Sequence, residues 1–217
     1  MQSTDEVCLA VRYGASAIGL TSEMPSGFGP ISESLIAKLA PCIPPGVASF
    51  LLTSLTDARA IIEQQKRCGT NALQIVDQLI SGTLLEIAEA LPGIQIVQVV
   101  HVVGRKSIED AQTASRFADA LLLDSGNPHL QTKELGGTGR VHNWAISREI
   151  RQKVDIPVYL AGGLTPENVA EAIATVHPFG VDVCTGVRTN GGLDKHKVVK
   201  FFEAVSDADR ILTSGSI

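Results

Sequence analysis

Seven runs of apolar and mostly β-branched residues punctuate the chain: ASAIGLTS, GVASFLLT, ALQIV, IQIVQVVHV, ADALLLDS, PVYLAG and VDVCTGV. Their hydrophobicity is nearly continuous rather than alternating, the pattern of strands buried on both faces and hence of a parallel sheet covered by helices. Between and around them lie longer segments with apolar positions at helical spacing, beginning near Ser3 or Thr4, Ser32, Thr56, Ser81 to Thr83, Ser107, Asn143, Thr165 and Asp194. Nearly all have a Ser, Thr, Asp or Asn available to accept a hydrogen bond from the first free N–H groups of a helix. Eight helices alternating with seven strands predict a (β/α)8 TIM barrel whose first strand is missing or truncated, with residues 1–217 as one domain. A doubly wound open sheet is the architectural alternative.

The N-terminus carries the anomaly. MQSTDEVCLAVRYG reads as a helix with no strand before it. Ser3 or Thr4 caps it, Asp5 and Glu6 suit its positive end, and Gly14 stops it; Val7, Cys8, Val11 and Leu9 supply its apolar side. A barrel closes only when its last strand pairs with its first, so ASAIGLTS and VDVCTGV would each present unpaired backbone. A strand encoded ahead of Met1, a stub of strand from Met1 to Thr4, or a partner chain would cover the gap. The first is the expectation, and bare edges would also invite a homodimer.

Composition narrows the function. Apolar residues make up 44% and charged residues 19%, the mix of a compact soluble protein, with only the terminal TSGSI reading as loose. A net charge of −5 and no Lys/Arg cluster argue against a nucleic-acid footprint, and small molecules are the expected partners. No apolar run is long enough to cross a bilayer and the N-terminus lacks the pattern of a secretory signal, so a cytoplasmic location is expected. Cys8, Cys42, Cys68 and Cys184 form no C-x-x-C pair. Neither a zinc site nor a disulfide framework is indicated, and no metal or cofactor is called for.

Glycines concentrate after the last three strands, in LGGTGRVHNW, LAGGLTPENV and CTGVRTNGG. In a barrel those strand ends share one mouth, where backbone N–H groups cradle a phosphate if no side chain intervenes. Gly162, Gly163, Thr185 and Gly186 are the predicted phosphate ligands, with Gly137 and Gly139 as further substrate-binding candidates.

The stretch ADALLLDS…GGTGRVHNW…PVYLAGGLTPENVAEAI…GVDVCTGVRTNGGLDKHKVVKFFEAV resembles the phosphoribosylanthranilate isomerases of tryptophan biosynthesis. DEVCLAVRYGASAIGL follows the same element order more faintly, as the family's first helix and second strand. The resemblance implies an Amadori rearrangement of a phosphoribosylated arylamine without metal or organic cofactor. Such a reaction needs an acid to protonate the sugar ring oxygen and a base to remove the neighbouring carbon's proton. Asp124, closing LLLDS, stands where the family has its acid.

The base is another matter. In the family it is a cysteine in a Lys-Ile-Cys-Gly segment on the first strand, and this chain has no such segment. Cys8 falls on the first helix, where a thiol packs against the barrel. MPSGFGPIS has no cation where the family has an arginine for the anthranilate carboxylate, and Asp77 follows LQIV where the family has a histidine. Asp77 and His101, near neighbouring strand ends, are candidates for a substitute His–Asp couple, or else a helix cap and a rim histidine. His129, His142, His177 and His196 read as solvated. Arg188, Lys195 and Lys197 would add positive charge near the phosphate or simply face solvent. A divergent sugar-phosphate isomerase and a non-catalytic barrel binding a phosphometabolite remain the alternatives.

Overall fold

The computed structural model describes residues 1–27 and 29–214. Seven parallel strands pair in chain order: β1 (Ala17–Thr21), β2 (Ala48–Thr53), β3 (Ala72–Ile75), β4 (Gln95–His101), β5 (Ala120–Asp124), β6 (Val158–Leu160) and β7 (Gly180–Val181). Helix α1 (Thr4–Arg12) precedes them. The connections carry α2 (Glu33–Leu39), α3 (Ala58–Cys68), α4 (Leu84–Ala90), α5 (Lys106–Ala114), α6 (Trp144–Lys153) and α7 (Val169–Val176), and α8 (Lys195–Ser214) closes the described chain. All seven predicted strands and all eight predicted helices form. Residues 215–217 of the expected loose terminus lie outside the described residues, whereas Thr213 and Ser214 belong to α8.

Side chains alternate across the sheet as the pleat requires. Leu51, Leu73, Ile75, Ile96, Leu121 and Leu123 are fully buried beneath the helices. Each stabilises the fold by roughly 1.5–3 kcal/mol relative to exposure. Phe50, Leu52, Val97, Val99, Ala120 and Leu122 make a separate inner cluster with Tyr159 and Ala161, the interior of the curled sheet.

β1 and β7 are the sheet's two edges. Between them lies a slot of about 320 Å³, lined by Ala17 and Gly19 on one side, Gly180 to Val183 on the other, and inner residues such as Leu52, Val97 and Leu122. Residues 1–3 form no strand, so the stub reading fails: Ser3 is the N-cap of α1 and its Oγ accepts the Glu6 N–H. The Met1 ammonium instead donates to the Gly19 carbonyl at 2.6 Å. Glu6 and Arg188 also bridge the two sides, with Arg188 Nη1 to Glu6 Oε1 at 2.6 Å.

Three local expectations are corrected. Cys8 is exposed rather than packed on the sheet, because Val7 and Ala10 form the buried stripe of α1. Helix α5 begins at Lys106 and not beyond Ser107, whose Oγ is turned to the His101 carbonyl. RTNGGL holds a small hairpin, β8 (Arg188–Thr189) and β9 (Gly192–Leu193), turning through Asn190 and Gly191 at positive φ.

Candidate active site

Inward-facing positions of β5 run Ala120, Leu122, Asp124, so strand alternation carries the carboxyl of Asp124 into the barrel mouth. It is 8% exposed. Oδ1 accepts the Ser125 N–H at 2.6 Å, and Oδ2 faces Gly136, where a Cβ would approach to 2.8 Å. Burial pushes the acid's pKa up, against the Ser125 hydrogen bonds and the nearby His101 ring. A carboxylic acid so placed keeps its proton longer than a solvated one, as a proton donor requires.

The cavity around Asp124 holds about 90 Å³ and gathers the glycine loops of three different strand ends: Gly136, Gly137 and Gly139 after β5, Gly162 and Gly163 after β6, and Thr185 after β7. Gly162 and Gly163 have φ of 82° and 65°. Gly186 continues the turn, and its hydrogen faces the Leu164 carbonyl so closely that any side chain would collide. The loops after β6 and β7 are therefore locked backbone to backbone. Ser125 Oγ and Thr138 Oγ1, 2.7 Å apart, tie the loop after β5 to the acid's own turn.

Asp182 lines the same cavity. It follows β7 on the inward side, and its N–H continues the ladder to the Leu160 carbonyl at 2.8 Å. The slot reaches it as well, so its side chain is solvent-accessible although protein surrounds it on the remaining sides. Those surroundings, and then the charge of Asp124, raise its pKa to about 6, opposed by the Met1 ammonium and the Val183 N–H. Sequence reasoning read VDVCTGV as a strand and missed this residue. The signal was its even spacing from Gly180, which puts it on the inner face.

Asp77 and His101 do not form a couple. Lys133, from the loop after β5, takes the Asp77 carboxylate at 2.5 Å, and Asp77 Oδ1 accepts the Gln78 N–H. His101 sits beside Asp124 in the β4–β5 register and its Nε2 reaches the Val76 carbonyl at 2.9 Å. A carbonyl only accepts, so Nε2 carries the proton. Lys133 is a cation the sequence pattern did not single out. It lies beyond Met24 and Leu135, which line both its hollow and the cavity of Asp124.

Other expectations change too. His142 is half-buried, with Nε2 2.7 Å from Ser147 Oγ, and burial lowers its pKa to about 4. Arg188 is buried against Glu6 rather than facing an anion, and Lys197 donates to the Arg188 carbonyl. Among the described residues, no group of three or more His, Cys, Asp or Glu is placed to hold a metal ion. No described helix is long and apolar enough to cross a membrane.

Known proteins resemble this chain in both sequence and fold. The family model for N-(5′-phosphoribosyl)anthranilate isomerase matches residues 56–204. N-(5′-phosphoribosyl)anthranilate isomerase 2 of Methanosarcina mazei is 34% identical over 93% of this chain and 89% of its own length. The isomerase of Haloarcula marismortui is 36% identical over 92% and 89%. In fold, the chain superposes on the Thermotoga maritima enzyme with a TM-score of 0.79 at 24% identity, covering 95% and 96% of the two chains. A phosphoribosylanthranilate isomerase crystallised with reduced 1-(o-carboxyphenylamino)-1-deoxyribulose 5-phosphate gives 0.76 at 22% identity, over 95% of each chain. With the family model matched over more than half of the chain and relatives above 30% identity along most of its length, the chain belongs to the N-(5′-phosphoribosyl)anthranilate isomerase family.

Proposed function

We propose that this protein isomerises N-(5′-phosphoribosyl)anthranilate to 1-(o-carboxyphenylamino)-1-deoxyribulose 5-phosphate, a step of tryptophan biosynthesis. The observation that carries the reading is the single cavity in which the buried acid Asp124 meets the glycine loops. Asp124 protonates the ring oxygen as the sugar opens. Main-chain amides of Gly162, Gly163, Thr185 and Gly186 hold the phosphate, and Gly137 and Gly139 border the sugar. Lys133, at the rim of that mouth, supplies positive charge for the anthranilate carboxylate. The substrate's phosphate cannot cross a bilayer unaided, which favours the cytoplasm as the site of reaction. The Thermotoga maritima phosphoribosylanthranilate isomerase is dimeric, which favours a homodimer here, and sedimentation would reveal it as a doubled mass.

The test is direct. Purified protein should consume N-(5′-phosphoribosyl)anthranilate, and Asp124→Asn should lower kcat by about 10³-fold while the reduced product analogue still binds, in line with loss of a general acid. An Asp124→Asn variant as fast as the parent, or a parent that binds the analogue without turnover, would overturn the proposal.

A further inference from the structure

The cavity around Asp124, at about 90 Å³, is smaller than the clefts of about 300–1,000 Å³ that ordinarily enclose small-molecule ligands. With a sugar phosphate in place it has no room left for an arylamine. Beyond Met24 and Leu135 lies the hollow of Lys133, about 790 Å³ in volume, walled by Pro25, Ile31, Leu55 and Ala60. Met24 and Leu135 line both spaces and so form the partition between them. Leu135 is 5% exposed and packs with Met24 and Val76 in the inner cluster.

We infer that Leu135 is a gate: where it stands it parts the Asp124 cavity from the Lys133 hollow, and its withdrawal joins the two to admit the substrate's aryl group. The inference rests on the isomerase reading above. Chemistry fixes where the aryl group must go. Asp124 protonates the sugar's ring oxygen, and the arylamine nitrogen is attached to the carbon that carries that oxygen, so the ring begins beside the acid. Asp124 Oδ2 faces Gly136, the residue directly after Leu135. With the phosphate at the loops after β6 and β7, the other end of the substrate projects toward Leu135 and the hollow behind it.

The segment is fastened on one side of Leu135 and free to turn on the other. Before it, the Lys133 ammonium lies 2.5 Å from the Asp77 carboxylate, the Lys133 carbonyl accepts the Ser26 hydroxyl at 2.6 Å, and the Glu134 N–H donates to the Asn127 carbonyl. After it come Gly136 and Gly137, at φ of 135° and 65°. Two glycines let the backbone swivel next to Leu135 with no side chain of their own to obstruct it. Lys133 meanwhile stays on the wall of the hollow, where the aryl carboxylate would arrive. Leu135 belongs to no helix or strand, so its withdrawal breaks no ladder. What it gives up is apolar contact with Met24 and Val76, which an aryl ring restores.

A gate that opens before entry has a kinetic signature, since an aryl ligand binds no faster than the gate opens. In stopped-flow fluorescence, the rate at which the reduced product analogue binds the parent should level off as its concentration rises. Leu135→Ala should remove that plateau and raise the rate at high concentration about tenfold, the factor set by the burial that leucine no longer has to give up. Leu135→Met, which conserves volume, should behave as the parent. Ribulose 5-phosphate, which has no aryl group, should bind all three proteins with the same affinity in calorimetric titration. A parental entry rate in a folded Leu135→Ala protein, or an equal change in its affinity for ribulose 5-phosphate, would overturn the gate while leaving the isomerase reading intact. If Leu135→Ala does not fold, Ser26→Ala takes its place: releasing the Lys133 carbonyl should speed entry about threefold, in keeping with one lost hydrogen bond, and a parental rate would overturn the gate equally. A parent without turnover of N-(5′-phosphoribosyl)anthranilate would instead remove the isomerase reading on which the gate stands.

Discussion

At the scale of single residues, backbone proximity decides as much as chemistry. The Leu164 carbonyl fills the space a side chain would need at Gly186, so Gly186→Ala must pry apart the loops after β6 and β7. We expect a loss of about 1–3 kcal/mol from overpacking, read by urea unfolding, and roughly tenfold weaker binding of the phosphorylated product analogue by calorimetric titration. An unchanged affinity would remove Gly186 from the anion site. On the proposed function, Lys133→Ala should raise KM with little effect on kcat in steady-state assays, because a charge set for the anthranilate carboxylate does not meet the reacting carbons; an unchanged KM would remove Lys133 from that role. The glycines and Asp124 were legible in the sequence because strand ends in a parallel barrel all open at one mouth. The fate of Asp77 was not. Its partner comes from 56 residues downstream, and no local spacing encodes that the Lys133 loop folds back over β3.

At the scale of elements, α1 is held to the segment after β7 by the Glu6–Arg188 pair, whose side chains are 13% and 8% exposed. Glu6 also accepts the Gln2 and Leu193 N–H groups. Removing one partner strands a buried charge, so Glu6→Gln should cost about 3 kcal/mol. The pH dependence has a definite sign. Burial opposes ionisation of Glu6, but its hydrogen bonds to Arg188, Gln2 and Leu193 outweigh it and hold the pKa down at about 2, against an ordinary 4.5. Its stabilisation is therefore complete above about pH 4.5 and is lost as the pH falls toward 2. Denaturant midpoints of parent and Glu6→Gln should converge over that window; a constant gap would mean the charge is not what matters. Strands and helices were readable because buried parallel strands and capped helices leave local signatures, as Ser32, Thr83 and Asn143 show by capping α2, α4 and α6. Helix α5 was misplaced because its start has no side-chain cap. The turn at Asn190-Gly191 was legible, but the two-residue strands around it are too short to leave a pattern.

At the scale of the whole molecule, strand alternation puts Asp182 on the inner face, where protein surrounds it although its side chain stays accessible. Burial, and then the charge of Asp124, hold its pKa near 6. For stability this carboxylate is a cost: an aspartate whose pKa is raised on folding binds more protons folded than unfolded, so its contribution falls as pH rises from about 3.8 through about 6. His142 works in the opposite sense, since its lowered pKa makes stability rise from about pH 4 to 6.5. The two partly cancel in the parent, and comparison with Asp182→Asn separates them. At pH 4 parent and variant should unfold at similar denaturant concentrations, because Asp182 is then protonated and nearly as uncharged as asparagine. By pH 7 the variant should be the more stable, by on the order of 1 kcal/mol after allowing for screening by water. A variant less stable than the parent at pH 7 would show that Asp182 supports the barrel rather than strains it.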